Sequence, residues 1–293
     1  MIITFGSINV DLVYEVEEMP QPGQTLLAKR FRTEPGGKGA NQALAAARDG
    51  AKVVMVGAVG NDSLAEVGLQ NLIAATDTSR VARVDEPTGN ASIHIDAKGR
   101  NMIVVAAGAN LVASSEAVEE QLLQQANVVL MQMENDVAEV EKLIRRVRKS
   151  HATSVLNLAP AFPLNEKVLS LCDIIVVNED EAEALGGWLG CDAHAEALAV
   201  RLGTGVLRTL GGEGAEAFAV GEYIRIPAMK IDVKDTTAAG DCFVGVLAAG
   251  LDRGLPLNSA MERASVAAGL ACSRAGSQMS IPDNVETDSA LSR

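Results

Sequence analysis

The chain has 293 residues and a formal net charge of −13, with 48 % hydrophobic and 22 % charged residues. This composition is typical of a globular protein and excludes a disordered chain, which carries fewer apolar residues. The acidic balance argues against a nucleic-acid or membrane-surface partner, because both present negative charge. No secretory signal is visible, and the four scattered cysteines suggest a reduced compartment, so we expect a cytoplasmic protein without a zinc site.

Short runs rich in Val and Ile alternate with helix-like segments along most of the chain. This alternation predicts an α/β fold with a mostly parallel sheet that is covered by helices on both faces. The predicted strands are 2–6, 52–57, 127–131, 153–158, 173–177 and 205–210. The predicted helices are 39–49, 63–75, 114–125, 136–149, 179–186, 192–203, 240–252 and 257–273, followed by a short tail.

Two stretches, 12–34 and 90–105, break this rhythm and have the pattern of β-hairpins. Two hairpins inserted in an α/β chain can form a small separate sheet, and such a sheet often serves as a lid over a site. The alternative is two surface hairpins without function. Asn90 lies in the second hairpin and would change ligand preference if its side chain pointed inward. Arg208 lies inside a predicted buried strand, where it must either reach solvent or pair with an acid.

Two glycine-rich loops are candidate phosphate or ligand loops. The first, 36–41, reads Gly-Gly-Lys-Gly-Ala-Asn and precedes a predicted helix, where bare backbone can approach a ligand closely. It is not a G-x-x-x-x-G-K-[ST] loop, because Gly39 follows Lys38, and a plain turn is the alternative. The second, 209–214, follows a strand and fits either a phosphate chain or a hairpin turn. No G-x-G-x-x-G follows the first strand, which counts against a Rossmann dehydrogenase.

A third loop, 235–241, runs into the helix predicted at 240–252. Its small residues expose successive backbone N–H groups at a helix N-terminus, which attracts an anion. Asp241 in the first turn would place a carboxylate beside that anion, and phosphorylation of an alcohol needs this combination of base and electrostatic cradle. The alternative is that Asp241 only complements the helix dipole.

Together the three loops resemble the phosphofructokinase-B (PfkB) carbohydrate kinase family, and within it the ribokinase group. The first family signature matches Gly36 through Gly60, and the second matches Asp235 through Gly245. Further matching pieces extend the resemblance over residues 1–283. It implies a ribokinase-like three-layer α/β/α sandwich, one domain over 1–293, with lid insertions at about 12–34 and 88–106.

The resemblance also implies roles for the matching positions. Asp241 would be the general base, and Ala238, Ala239 and Gly240 would complete the anion hole with it. The sugar hydroxyls would be held by Asn9, Asp11, Gly37, Lys38, Gly39, Asn41 and Glu134. The nucleotide would contact Asn178, Thr209, Leu210, Gly211, Gly212, Glu213, Gly214, Gly240 and Ser265. Glu181 would organise Mg²⁺, directly or through water, and K⁺ would lie near Asp235, Thr237, Ala271, Arg274, Gly276 and Ser280.

The implied activity is transfer of a phosphoryl group from ATP to the 5-hydroxyl of D-ribose, by a homodimer that associates through its lids. Another family kinase, acting on deoxyribose, pseudouridine or adenosine, is the main alternative. A non-catalytic sugar-binding or regulatory protein is a second alternative. The intact Asp241 and the Asn178-x-x-Glu181 motif argue against it, because a protein freed from catalysis need not keep them.

Overall fold

The computed structural model describes residues 1–292, and two sheets organise it. The strands, in chain order, are β1 (Ile2–Phe5), β2 (Asn9–Glu15), β3 (Arg30–Gly36), β4 (Val53–Gly60), β5 (Asp77–Val84), β6 (Gly89–Ile95), β7 (Asn101–Ala106), β8 (Val128–Met131), β9 (Thr153–Asn157), β10 (Ile174–Val177), β11 (Gly205–Thr209), β12 (Ala215–Ala219) and β13 (Glu222–Ile226).

Helices surround the larger sheet. They are α1 (Lys38–Arg48), α2 (Ser63–Leu69), α3 (Leu72–Ala75), α4 (Glu120–Leu123), α5 (Val137–Val147), α6 (Glu166–Leu169), α7 (Glu179–Leu189), α8 (Ala195–Leu202), α9 (Ala239–Asp252), α10 (Leu257–Cys272) and α11 (Asn284–Leu291). Among residues 1–292, no helix combines the length and the apolar character that crossing a membrane requires.

The larger sheet has nine strands in the order β13-β12-β11-β10-β9-β8-β1-β4-β5. All pairings from β11 to β5 are parallel, and only the β12 and β13 edge is antiparallel. Alternate side chains of β1 enter different cores: Ile2 packs with the α1, α9 and α10 side, and Ile3 and Phe5 pack with the α5, α7 and α8 side. Burial on both faces explains the continuous Val and Ile runs and gives the predicted three-layer sandwich.

The smaller sheet has four strands in the order β3-β2-β6-β7. The two predicted hairpins form its halves, and they join through parallel pairing of β2 with β6. The register places Asp11 beside Ala91 and Glu34, so these three side chains share one face. Asp11, Val13, Ile93 and Ile95 on that face line a cavity together with residues 233–237, which follow the larger sheet.

The structure confirms the six predicted strands, changes two predicted helices and adds elements that were not predicted. The predicted helix 114–125 is wrong: the segment forms a 3₁₀ turn at Ser115–Ala117 and the single turn α4. The predicted helix 63–75 is interrupted between α2 and α3. Three strands, β5, β12 and β13, the short helix α6 and the C-terminal helix α11 were not predicted. β5 and β13 are the two edge strands of the larger sheet, where polar residues interrupt the apolar pattern, and β12 lies next to β13.

Candidate active site

Three adjoining cavities lie around the start of α9. A small one of about 140 Å³ is lined by Lys38, Asn178, Glu181 and the 238–241 segment. A larger one of about 390 Å³ shares Thr209 and Gly240 with it. A third, of about 370 Å³, lies against the smaller sheet. The small cavity therefore lies next to the large one, at the start of a helix.

Asp241 lies in the first turn of α9 and is buried, with 8 % of its surface exposed. Its Oδ2 accepts a hydrogen bond from Asn41 Nδ2 at 2.9 Å, and its Oδ1 accepts one from Gln42 Nε2 at 2.9 Å. Both donors belong to α1, which runs close to α9. The carboxylate is therefore held by two neutral donors while it also lines the small cavity.

The start of α9 has the geometry of an anion site. Ala238 occupies the N-cap in the left-handed region, with φ of 58°, and no side chain of the described residues caps the helix there. The first N–H groups of a helix lack intrahelical partners and carry partial positive charge, so they can bind an anion in the small cavity. Glycine adopts positive φ without a Cβ penalty, whereas Ala238 adopts it at some cost.

Glu134 accepts hydrogen bonds from two other residues that the resemblance assigns to the sugar hydroxyls, Asn9 and Lys38. Its Oε2 accepts from the backbone N–H of Lys38 at 3.1 Å, from Asn9 Nδ2 at 3.4 Å and from the Ser7 hydroxyl. Gly37 has φ of 92°, and a Cβ there would lie 2.7 Å from the Asn9 nitrogen. The close approach of this glycine loop to β2 therefore requires glycine at that position.

Charged groups face one another across this site. Burial, together with the negative charges of Glu34 and Glu134, raises the pKa of Asp11 to about 7. The Asp241 carboxylate raises the pKa of Lys38, against the opposing effect of burial. Acidic side chains thus dominate one side of the site, and Lys38 is their cationic neighbour.

The Asn178-x-x-Glu181 motif begins α7 as a capping box. Asn178 Oδ1 accepts from the Glu181 N–H at 2.8 Å, and Glu181 Oε2 accepts from the Asn178 N–H at 2.8 Å. Burial raises the pKa of Glu181. The reciprocal bonds fix both side chains at the edge of the small cavity, opposite Asp241.

The large cavity brings together most of the residues that the resemblance assigns to the nucleotide: Thr209, Gly211, Gly212, Gly214, Gly240 and Ser265. Leu210 and Glu213 belong to the same turn but do not line the cavity. Leu210 N–H instead donates to the Gly214 carbonyl at 2.8 Å. The turn connects β11 to β12, so the hairpin interpretation of 209–214 is confirmed, and its glycines also form a cavity wall.

The six predicted cation residues are only partly assembled. Asp235 Oδ1 accepts from Thr237 N–H at 2.9 Å and from the Thr237 hydroxyl at 2.6 Å, and its Oδ2 accepts from Gly276 N–H at 3.0 Å. Arg274 instead pairs with Glu286. Ser280 Oγ donates to the Ser277 carbonyl, and Ala271 is buried in α10. Asp235, at the start of the 235–241 loop, is therefore hydrogen-bonded to Gly276.

The structure also explains the two residues that the sequence left open. Arg208 pairs directly opposite Glu216 in the register of β11 and β12, with Nη1 3.4 Å from Oε1. Pairing with an acid is thus confirmed. Asn90 pairs with Val10, the residue before Asp11 on β2. Because side chains alternate along a strand, the Asn90 side chain lies on the face of the smaller sheet opposite to that of Asp11. Its Nδ2 donates to the Thr88 carbonyl at 3.3 Å.

Sequence reasoning missed the polar residues that support the site. Gln42 and Gln278 are buried close to Asp241, and Asn110 donates from Nδ2 to Asn9 Oδ1 at 2.7 Å. The one available signal was Gln42, a polar residue on the alanine-rich face of the helix predicted at 39–49. Gln278 lies 237 residues from its partner Asn41, and no local pattern links them.

Comparison with known proteins agrees with this geometry. The family model described as pfkB family carbohydrate kinase matches residues 1–284. The ribokinase of Haemophilus influenzae is 37 % identical, over 98 % of this chain and 96 % of its own. The structure of Thermotoga maritima ribokinase superposes with a TM-score of 0.92 at 30 % identity, covering all of this chain and 98 % of its own. That of Arabidopsis thaliana ribokinase, complexed with ribose and ATP, superposes with a TM-score of 0.89 at 28 % identity, with 100 % and 98 % coverage.

Proposed function

Because the chain belongs to the pfkB family of carbohydrate kinases, we propose that it phosphorylates D-ribose at the 5-hydroxyl with ATP, giving D-ribose 5-phosphate and ADP. One observation carries the proposal. A buried carboxylate, Asp241, lies at a helix start that no side chain of residues 1–292 caps, between a polar acidic cluster and a glycine-walled cavity. This arrangement brings a base and an anion site together.

The acidic side of the site suits a polyol. Asp11 and Glu134 supply carboxylate oxygens, and Asn9 supplies an amide that is fixed by Asn110. Sugar hydroxyls donate to such acceptors, and hydrogen bonds to charged groups are stronger than neutral ones. We place ribose against this cluster, beneath the face of the smaller sheet that carries Asp11.

The other side of the site suits the transferring phosphoryl group. The N–H groups of Gly240 and Asp241 would bind its oxygens, and Lys38 would add positive charge from the opposite wall. The Ala239 N–H group already donates to the Thr236 carbonyl at 3.2 Å. Asp241 would accept the proton that the attacking hydroxyl loses. Phosphoryl transfer depends mainly on positioning and charge stabilisation, and these groups supply both.

The wall around Glu181 fits Mg²⁺. Glu181 presents a carboxylate that uses one oxygen in the capping box, and Asn178 lies beside it. Magnesium commonly binds through one or two carboxylates, with waters and substrate phosphates completing its shell. When bound, the ion would neutralise charge on the ATP phosphates. Glu181 would hold it directly or through water.

We assign K⁺ to the Asp235 segment as an activator. Asp235 is the one carboxylate among the six predicted residues, and the others offer only neutral oxygens, apart from the cationic Arg274. Such a donor set suits a monovalent ion better than a divalent one. Ordering of the 235–237 segment would fix the N–H groups at the start of α9, since Thr237 directly precedes Ala238.

We also propose a homodimer that forms through the smaller sheet. On its face away from Asp11, Phe31, Tyr14, His94 and Met102 lie in one row across the four strands. Tyr14 packs against Phe31 and His94, with ring centroids 4.9 and 5.2 Å apart. The neighbouring Val104 is 62 % exposed on the edge strand β7. An apolar sheet face beside an open edge favours association with a second copy.

An ATP-consumption assay against ribose, deoxyribose, fructose, adenosine and pseudouridine tests the assignment. We expect the highest kcat/KM with ribose and a product that carries phosphate on the 5-oxygen. A higher kcat/KM for deoxyribose or for a nucleoside would replace ribose by that substrate. Ribose binding without ATP turnover would identify a sugar-binding protein that has lost catalysis.

A further inference from the structure

Buried carboxamide side chains surround Asp241 on the side away from the cavities. Asn41 and Gln42 contact its carboxylate directly, and Gln278 and Gln132 contact those two side chains in turn. All four are nearly inaccessible to solvent, with at most 6 % of their surface exposed. We call Asn41, Gln42, Gln132 and Gln278 the carboxamide network.

The chemistry of a carboxylate fixes the direction of every bond in this network. An ionised carboxylate only accepts hydrogen bonds, so Asn41 and Gln42 must turn their NH₂ groups towards Asp241. Their amide oxygens then face outward and need donors. Gln278 Nε2 supplies one to Asn41 Oδ1 at 3.1 Å, and Gln132 Nε2 supplies one to Gln42 Oε1 at 2.7 Å.

The Gln278 amide is itself held in one orientation. Its Oε1 accepts from Asn71 Nδ2 at 2.9 Å, which leaves its NH₂ facing Asn41. A chain of three amides thus points its donors from Asn71 through Gln278 and Asn41 to Asp241 Oδ2. Gln278 does not line any of the three cavities, and its side chain reaches the Asp241 carboxylate through Asn41.

We propose that Gln278 is a positioning residue for Asp241, an inference that rests on the proposed role of Asp241 as the base. Loss of the outer donor leaves Asn41 Oδ1 buried without a partner, so the Asn41 side chain is no longer held from both ends and can turn away from Asp241. Asp241 Oδ2 would then lose its donor. The base would rotate away from the sugar hydroxyl, and a displacement of about 1 Å can cost on the order of 100-fold in rate.

Two substitutions test the proposal, with Gln125→Glu as a control because Gln125 is exposed and lines none of the three cavities. Gln278→Met removes the donor and should lower kcat about 10-fold. Gln278→Glu replaces the donor by an acceptor, which reverses the preferred orientation of Asn41, and should lower kcat about 100-fold. KM values for sugar and ATP should change less than about threefold, because Gln278 touches neither cavity.

The split between kcat and KM separates positioning from a general packing defect. A packing defect would change the KM values and the thermal stability together with kcat, whereas a misplaced Asp241 lowers kcat alone. All variants are assayed at saturating K⁺, because Gln278 lies two residues from Gly276 and from Ser280. The control should follow wild type throughout.

Other outcomes would overturn the proposal. If Asp241→Asn is inactive while both Gln278 variants keep wild-type kcat, the base assignment stands and the positioning role is wrong. If Asp241→Asn remains active, the base assignment fails and the positioning role fails with it. If Gln278→Glu does not fold, Gln278→Met with unchanged KM values decides the question.

Discussion

Replacement of Asp241 by Asn removes the proposed base while it keeps the shape of the side chain. One of the two positions that now accept hydrogen bonds becomes an NH₂ group. It would face the NH₂ group of Asn41 or Gln42, each now 2.9 Å from a carboxylate oxygen. A buried donor left without an acceptor costs about 1–3 kcal/mol, so we expect a measurable loss of stability in a protein that still folds.

The effect on turnover should be much larger than the effect on stability. Loss of a general base typically lowers kcat by about 10²–10⁴-fold, and the main-chain anion site would survive the substitution. The defect should therefore appear in kcat and not in the KM of either substrate. If Asp241 only complements the helix dipole, the lost charge adds about 0.3–1 kcal/mol to that loss of stability and leaves turnover nearly normal.

Steady-state kinetics and thermal denaturation of the same preparation distinguish the two interpretations. Glu196→Gln is a matched control, because Glu196 is an exposed acid in the first turn of α8, away from the cavities. The control should keep wild-type kcat. A kcat for Asp241→Asn within about threefold of wild type would refute the assignment of the base.

The remaining predictions concern the sugar, the cation and the assembly. Asp11→Ala should raise the ribose KM about 10- to 100-fold, because hydrogen bonds to a charged group contribute about 1.5–3 kcal/mol. The KM for ATP should change little. An unchanged ribose KM in a folded variant would show that Asp11 is only a turn residue. The pKa of Asp11 is raised from 3.8 to about 7, so the folded protein keeps a proton that the unfolded chain releases. This group should therefore lower stability as the pH rises from about 4 to about 7, by up to about 1.4 kcal/mol per pH unit, and urea titrations of Asp11→Asn should lack that contribution. Turnover should be higher in K⁺ than in a large organic cation at equal ionic strength, and equal rates would exclude the proposed activation. Light scattering should give the mass of a dimer at micromolar concentration, and Val104→Lys should give a monomer; a wild-type monomer would contradict association through the smaller sheet.

The central strands were predictable because burial on both faces requires continuous Val and Ile, as in β10 and β8. Edge strands such as β5 have one or both sides open to solvent, and its sequence mixes Asp, Ser and Arg with Val. The segment 114–125 combines apolar residues at helical spacing with two short 3₁₀ and α turns. Periodicity alone did not distinguish one continuous helix from such turns.

The residues of the candidate site also fall into two groups, those that local sequence patterns mark and those that only the folded chain brings together. Asp241 and the glycine loops lie at turns and helix starts, so local patterns marked them as candidates, and the family resemblance added Lys38. The carboxamide network depends on contacts between α1, the segment after β8 and the 278 region, which only the folded chain brings together. A buried glutamine carries no local signal of its partner, because its hydrogen bonds are satisfied by residues far away in the sequence.

In the proposed function, the site would sort its two substrates by the kind of hydrogen bond that each can make. Sugar hydroxyls can donate, and they would meet the side chains of Asp11 and Glu134. Burial, together with the negative charges of Glu34 and Glu134, raises the pKa of Asp11. Ionised phosphates only accept, and they would meet the N–H groups at the start of α9 and the Lys38 ammonium. With a net charge of −13, the overall field of the protein repels ATP, so these local donors must outweigh it. Asp241 is an acid within the donor region, and at this position it would accept the proton that leaves the sugar hydroxyl.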